Sequence, residues 1–303
     1  MAIDPKLSLN GDKPHPVSTP RLLEGKPVAE QVMSDVARRV SALRARGVVP
    51  GLATVLVGDD AGSAGYVRKK HEACAQAGFH SEDIQLPTGT TRAELSAVIA
   101  RLNADAAVHG FLLQHPLPPP LDLASALLEM DPGKDADGLH PANIGRLAAG
   151  LPGPVPATPA GVRAMLLHYE IPTAGRHVVV VGRGPTLGRP LSLLLSGRGR
   201  GADAAVTVVH SAVPDLARYT LLADIVVAGA GQPGIVQPEM VRPGAVVISA
   251  GISWRGKRLL PDVAESVAER ASWITPRLGG VGVTTVAMLL QNTVHLAELR
   301  AGD

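Results

Sequence analysis

The sequence predicts an α/β chain of two domains, the second built on a doubly wound parallel sheet. Three observations predict it. Short runs of aliphatic and β-branched residues alternate with longer helical patterns along the chain. A proline-rich stretch, residues 150–160, interrupts that alternation near the middle and then lets it restart. Beyond it, His177-Val-Val-Val-Val181 runs directly into a glycine-rich turn and a helix. A strand–turn–helix of that kind offers backbone N–H groups to an anion.

The elements follow in order. Residues 1–21, with Pro14, Pro16 and Pro20, lack an apolar core of their own and read as a tail without a secretion signal. Val28, Val32, Val36 and Val40 recur every four residues and predict a helix to Arg46. Leu52–Val57 is a buried strand closed by Gly58-Asp59-Asp60. Ala64–Ala77 is a helix stopped by Gly78. A short strand near Ile84, a helix over Arg92–Asn103 and a strand over Gly110–Gln114 come next, and Pro116, Pro118, Pro119 and Pro120 end that strand. In the second half, strands are expected at His177–Val181, Ala205–Val209, Asp224–Ala228 and Ala245–Ile248, with a helix over Pro190–Leu195. An amphipathic helix, Thr284–Leu299, closes the chain.

Composition narrows the function. The chain has 303 residues, 46% of hydrophobic type, so it can bury a sizeable core. Lys plus Arg number 29 and Asp plus Glu 27, a net charge of +2, which gives no electrostatic footprint for nucleic acid or an anionic membrane. Aromatic residues are 2%, too few for a base-stacking surface. A single Cys excludes an internal disulfide framework and a multi-cysteine zinc site. No apolar run reaches the roughly 20 residues of a membrane span. A small-molecule enzyme or binding protein in a reducing, cytoplasmic setting is expected.

Gly182-Arg-Gly-Pro-Thr-Leu-Gly188 spaces its glycines one residue wider than the usual dinucleotide turn. Gly182 permits the tight turn, Gly184 a close approach to phosphate, and Gly188 close packing of the following helix. The next strand ends at Val209-His210-Ser211 without the acid that would hold the ribose 2′-hydroxyl of NAD. Arg183 and Ser211 there suit a 2′-phosphate, so NADP is the expected cofactor. A ligand-free turn with a solvated arginine is the competing reading.

Tyr66 and Lys70 are four apart on one helical face, where an aromatic ring could stack a planar ligand and an amine could handle a proton. Lys69 is equally in reach, and an ordinary amphipathic helix would show the same spacing. Asp135-Ala-Asp137-Gly138 could present carboxylates to a donor-rich heterocycle or form a simple Asx turn. No further ligand cluster near them has metal spacing. Gln114 ends a strand at the sheet edge where α/β folds meet ligands, although a satisfied edge glutamine would look alike.

Together these segments resemble the bifunctional methylenetetrahydrofolate dehydrogenase/methenyltetrahydrofolate cyclohydrolase family. Tyr66-Val-Arg-Lys-Lys70 is similar to its Y-V-x-x-K helix, and Gly110-Phe-Leu-Leu-Gln114-His-Pro-Leu-Pro118 to its G-I-L-V-Q-L-P-L-P strand and loop. Lys134-Asp-Ala-Asp137-Gly138, Thr158-Pro-Ala-Gly161, Gly182–Pro190 and Gly279-Gly-Val-Gly282 match further motifs in the family's order. The likeness spans about Leu22 to Leu296. It implies a folate-binding catalytic domain over 22–155, completed by the C-terminal helix at 284–303. It further implies an NADP-binding Rossmann-like domain over 156–283, a folate cleft between the two, and a homodimer joined through the cofactor domains. The implied reactions are oxidation of 5,10-methylenetetrahydrofolate by NADP and hydrolysis of the methenyl product to 10-formyltetrahydrofolate, steps of one-carbon metabolism and purine biosynthesis. By the same resemblance Lys70 handles the proton, Gln114 contacts and tunes it, Tyr66 stacks on the folate and Asp137 binds the pterin. Gly279 and Gly280 line the folate, and Gly182, Arg183, Gly184, Gly188, Ser211 and Ile252 line the cofactor.

The chain departs from the family pattern at several positions. Gly184 stands for Ser, Gln232 for Lys, Ser249 for Asp, Ser253 for Asn and His115 for Leu, and Leu278 and Val283 replace two prolines. These changes leave a second expectation open: a divergent paralogue that binds folate or nucleotide with one activity or neither.

Overall fold

A computed structural model describes residues 20–255 and 258–302. The expected tail therefore lies outside the described residues, except for its last two positions. Among the described residues eleven strands run in chain order: β1 Arg21–Leu22, β2 Gly51–Val57, β3 His80–Leu86, β4 Gly110–Leu113, β5 His177–Val181, β6 Ala205–Val209, β7 Ile225–Ala228, β8 Val246–Ser249, β9 Ile252–Arg255, β10 Arg258–Pro261 and β11 Trp273–Ile274. The helices are α1 Gly25–Ala45, α2 Ala61–Ala77, α3 Arg92–Ala104, α4 Leu123–Glu129, α5 Pro141–Ala148, α6 Ala157–His168, α7 Gly188–Ser196, α8 Ala217–Thr220 and α9 Val281–Ala301.

Two parallel sheets organise the molecule. The smaller has the order β3-β2-β4 and the larger β1-β11-β8-β7-β5-β6. A separate antiparallel pair, β9–β10, stands outside both. Every residue of β2 is buried, as a central strand covered on both faces requires. In β5, Val178 and Val180 enter one hydrophobic cluster while Val179 and Val181 enter the cluster on the opposite face. That period of two, with helices over each face, is the doubly wound arrangement. The order β6-β5-β7 makes the carboxyl ends of β5 and β7 the switch point, where such sheets take ligands.

Both ends of the described chain cross over. Arg21–Leu22 add an edge strand to the larger sheet, against Trp273 and Ile274, rather than continuing as tail. Helix α9 packs on α1 and α6. Its Leu289, Leu290, Val294 and Ala297 share a core with Val36, Val40 and Leu43 of α1 and with Leu52 and Leu112 of the smaller sheet. Glu298 receives two hydrogen bonds from Arg39, at 2.8 and 2.5 Å. Helix α9 thus runs from the core of the larger sheet, which Val281 enters, into the core of the smaller one.

Candidate active site between the two sheets

Helix α2 begins where Asp60 caps it, its carboxylate accepting from the Ser63 N–H at 2.7 Å. It ends at Gly78, which takes the left-handed conformation at φ 78°. Between these stops the helix is locked in phase, and that phase resolves the choice the spacing left open. Lys69 is exposed, whereas Lys70 is 5% exposed and points inward with Tyr66 and Cys74.

The Lys70 ammonium nitrogen donates to Gln114 Oε1 at 2.9 Å and lies 5.3 Å from the centre of the Tyr66 ring. Gln114 reaches it because its N–H bonds Val55 O at 2.8 Å, extending the β2–β4 ladder by one residue and holding the side chain at the sheet's carboxyl edge. Its amide nitrogen is spent on His115 O at 3.0 Å, which turns the amide oxygen toward the lysine. Tyr66 OH donates to Gly282 O at 2.8 Å, tying α2 to the first turn of α9.

Burial pulls the Lys70 amine down to about 8, while the charges of Asp137 and Cys74 pull the other way. Burial also raises the Asp137 carboxyl above its ordinary range, against the opposing charge of Lys70. Each partner is thereby pushed toward its neutral form. Burial raises the Tyr66 phenol to about 12, so it stays a neutral ring.

The two aspartates of the polar turn have separate tasks. Asp135 is buried and spends its oxygens on the N–H of Leu139 (3.1 Å), the N–H of His140 (2.7 Å) and the amide of Asn143 (2.8 Å). Lys134, also buried, donates to Leu102 O and Asp105 O at 2.7 and 2.6 Å, closing the end of α3. Asp137 is half-buried, and its carboxylate makes no hydrogen bond among the described residues. Lys134 and Asp135 thus fix the turn and leave Asp137 free for a ligand. Gly279 and Gly280 lie on the loop into α9, where Gly279 O accepts from the Gly25 N–H at 2.7 Å. Leu278 and Val283, the positions without the expected prolines, are exposed beside them.

The nucleotide turn is built differently. Gly182 has φ 121°, which disfavours any side chain, and an added Cβ would run into Gly229 O. A Cβ on Gly188 would meet Gly182 O. Gly184 faces open space. Arg183 reaches His210 at the end of β6, Nη1 to Nε2 3.4 Å, with exposed Ser211 next in the chain. No acid occupies that strand end. Ile252, 47% exposed, starts β9. The glycine cradle, the Arg183 cation and the missing acid fit a dinucleotide carrying a 2′-phosphate.

Sequence reasoning missed two residues here. His210 was read only as a strand end. Asp262, wholly buried, accepts from the N–H groups of Ala230 and Gly231 at 2.6 and 2.8 Å, in the turn after β7. Nothing in its local sequence announces it, because its partners are backbone groups some thirty residues earlier. Of the departures, Gln232 is exposed, and Ser249 leaves its hydroxyl buried without a partner while its N–H bonds Thr275 Oγ1 at 2.8 Å. Ser253 Oγ donates to Gly231 O at 2.9 Å.

Comparison with known proteins gives a consistent picture. Residues 23–137 match the tetrahydrofolate dehydrogenase/cyclohydrolase catalytic domain, and residues 156–301 the tetrahydrofolate dehydrogenase/cyclohydrolase NAD(P)-binding domain. The chain is 60% identical over 281 residues to the bifunctional protein FolD of Syntrophotalea carbinolica, covering 93% of this chain and 97% of that protein. It is 57% identical over 282 residues to bifunctional protein FolD 1 of Salinispora tropica, covering 93% and 92%. Among solved structures, it is similar to the Trypanosoma brucei methylenetetrahydrofolate dehydrogenase–cyclohydrolase complexed with NADP and an inhibitor. That match has 38% identity and a TM-score of 0.87, over 94% of this chain and 99% of that one.

Proposed function

The chain belongs to the tetrahydrofolate dehydrogenase/cyclohydrolase family, and we propose that it runs both family reactions at one site, the cleft holding Lys70, Gln114, Tyr66 and Asp137. It oxidises 5,10-methylenetetrahydrofolate with NADP and hydrolyses the methenyl product to 10-formyltetrahydrofolate. The observation that carries the site is the buried amine of Lys70, held by Gln114 and lowered to about 8.

An ammonium beside a methenyl cation is repelled, so substrate binding favours the neutral amine further. In the hydrolysis, a water oxygen bonds the methenyl carbon and its proton passes to Lys70 Nζ. The carbinol O–H proton then passes to the leaving nitrogen as its C–N bond breaks and the C=O bond of the formyl group forms, and Lys70 Nζ releases its proton to water, so one proton leaves per turnover. Gln114 Oε1 holds Nζ on the reacting side. Tyr66 supplies the ring on which the pterin stacks. Asp137, with no partner of its own, accepts the N–H donors of the pterin edge. Gly279 and Gly280 leave room for the folate where α9 begins.

NADP, when bound, accepts the hydride. Gly182, Gly184 and Gly188 would hold its pyrophosphate, Arg183 and Ser211 its 2′-phosphate, and Ile252 would cover its nicotinamide end. That step asks the protein mainly for alignment of two rings. The divergent-paralogue reading is not favoured, because the chain is 57–60% identical to bifunctional FolD proteins over 93% of its length.

We divide the chain into a catalytic domain, 22–155 plus 284–303, and a cofactor domain, 156–283. The open edge of the larger sheet, β6, supports a homodimer joined through the cofactor domains. The described residues contain no helix long and apolar enough to cross a membrane. With one buried Cys, this accords with a cytoplasmic enzyme supplying one-carbon units to purine biosynthesis. NADPH formation from methylenetetrahydrofolate and loss of methenyl absorbance, followed separately, test the proposal. Both are expected, and purified protein lacking either activity would overturn it.

A further inference from the structure

We propose that Asp262 is a positioning residue for the hydride-transfer half of the chemistry alone. This rests on the reading that the dinucleotide lies over the switch point.

The larger sheet opens there between two turns, one after β5 and one after β7. They are interlocked: a Cβ on Gly182 would strike Gly229 O, and one on Gly229 would strike the Leu187 side chain that fills the space beside it. The β5 turn is anchored to the end of β6, the Gly182 N–H bonding Val209 O at 2.8 Å. The β7 turn has no helix directly after it to cap its N–H groups. Asp262 takes that place. Its Oδ2 gathers the N–H groups of Ala230 and Gly231, and its N–H donates to Gly251 O at 3.2 Å. Gly251 in turn donates to Ala228 O at 2.9 Å. One residue thereby joins the ends of β7, β8 and β10, its carboxylate holding the turn after β7 and its N–H the segment after β8.

The carboxylate has no room to move. Gly251 lies against it, so that an added Cβ would strike the carboxyl group. Its second oxygen, Oδ1, is buried without a partner. Burial raises the Asp262 carboxyl, against the pull of the backbone donors. A buried, half-satisfied carboxylate is costly, and what it holds is the turn that walls the cofactor crevice. The Lys70 site stands on α2 and the smaller sheet and shares no hydrogen bond with it among the described residues.

The protein's two activities provide an internal control, because methenyl hydrolysis uses no cofactor. In Asp262→Asn, the amide nitrogen or oxygen replaces one charged acceptor facing two N–H donors. We expect KM for NADP+ to rise roughly tenfold or more, the span of one or two charge-assisted hydrogen bonds, with methenyl hydrolysis held within about twofold. Gly251→Ala displaces the same carboxylate from the other side with its charge retained, and the same split is expected. Both variants should also lose the NADP+-dependent rise in thermal midpoint. An unchanged KM for NADP+ in both variants would overturn the proposal. So would a parallel fall of both activities with thermal midpoint, since that marks a general structural role. Wild-type protein showing no NADP+-dependent oxidation would instead sink the functional reading beneath it.

Discussion

The two halves of the site solve opposite problems. Around Lys70 the work is done by side chains: a buried amine, an amide oxygen, a phenol ring and an unpaired carboxylate converge from α2, the end of β4 and the turn at Asp137. At Gly182 it is done by their absence, because the turns after β5 and β7 meet backbone against backbone. The first region is damaged by removing atoms and the second by adding them. The contrast predicts two mutational profiles in one protein.

The largest effect belongs to the side-chain half. Lys70→Met removes the proton acceptor, and methenyl hydrolysis should fall about a hundredfold or more, measured by loss of methenyl absorbance. The fold should gain, since a buried lysine titrating near 8 is disfavoured in its charged form. A lowered thermal midpoint would break the comparison. The sign follows from the shift: the folded value lies below the unfolded 10.5, so stability rises with pH between about 8 and 10.5 and Lys70→Met flattens that slope.

Next in size is Gly182→Ala. A methyl group forced into Gly229 O at φ 121° should cost about 2 kcal/mol or more, read in chemical denaturation. NADP+-dependent oxidation should fall further than hydrolysis, and equal loss of both would blur the division. Arg183→Ala should weaken NADP by about 1–3 kcal/mol and leave NAD nearly unchanged, measured by cofactor titration. Equal weakening of both would count against a 2′-phosphate contact. The smallest effect is expected at Gly184→Ser, which restores the family's residue into open space. Stability should stay within about 0.5 kcal/mol, and a larger change would show that the turn is closed at this point as well.

The same contrast explains what the sequence revealed. The β5 strand occupies the predicted residues 177–181, and the helix over 92–104 matches to one residue, because each carries its own signals. For the latter these include the Thr91/Glu94 capping box. The glycine spacing marked the nucleotide turn for the same local reason. Helix α6 was hidden, since it starts at Ala157 inside the proline-rich stretch. Pro159 sits in its first turn, where the missing N–H has no partner to lose. Strands β1 and β11 were invisible at two residues each, being defined only by pairing across the chain. Tyr66 with Lys70 was legible as a face, but Lys69 could be set aside only once helix phase decided burial. Asp262 left no trace, because a carboxylate serving distant backbone groups looks like any loop aspartate.

The packing of α1 against α9 has a consequence for biosynthesis. Arg39 and Glu298, which clasp the two helices, are 259 positions apart. The apolar stripe of Val36, Val40 and Leu43 therefore emerges from the ribosome long before the helix that shields it. At about 5–20 residues per second, the nascent chain carries that sticky surface for roughly ten seconds or longer. Chaperone demand during translation should thus concentrate on the amino-terminal quarter of the protein.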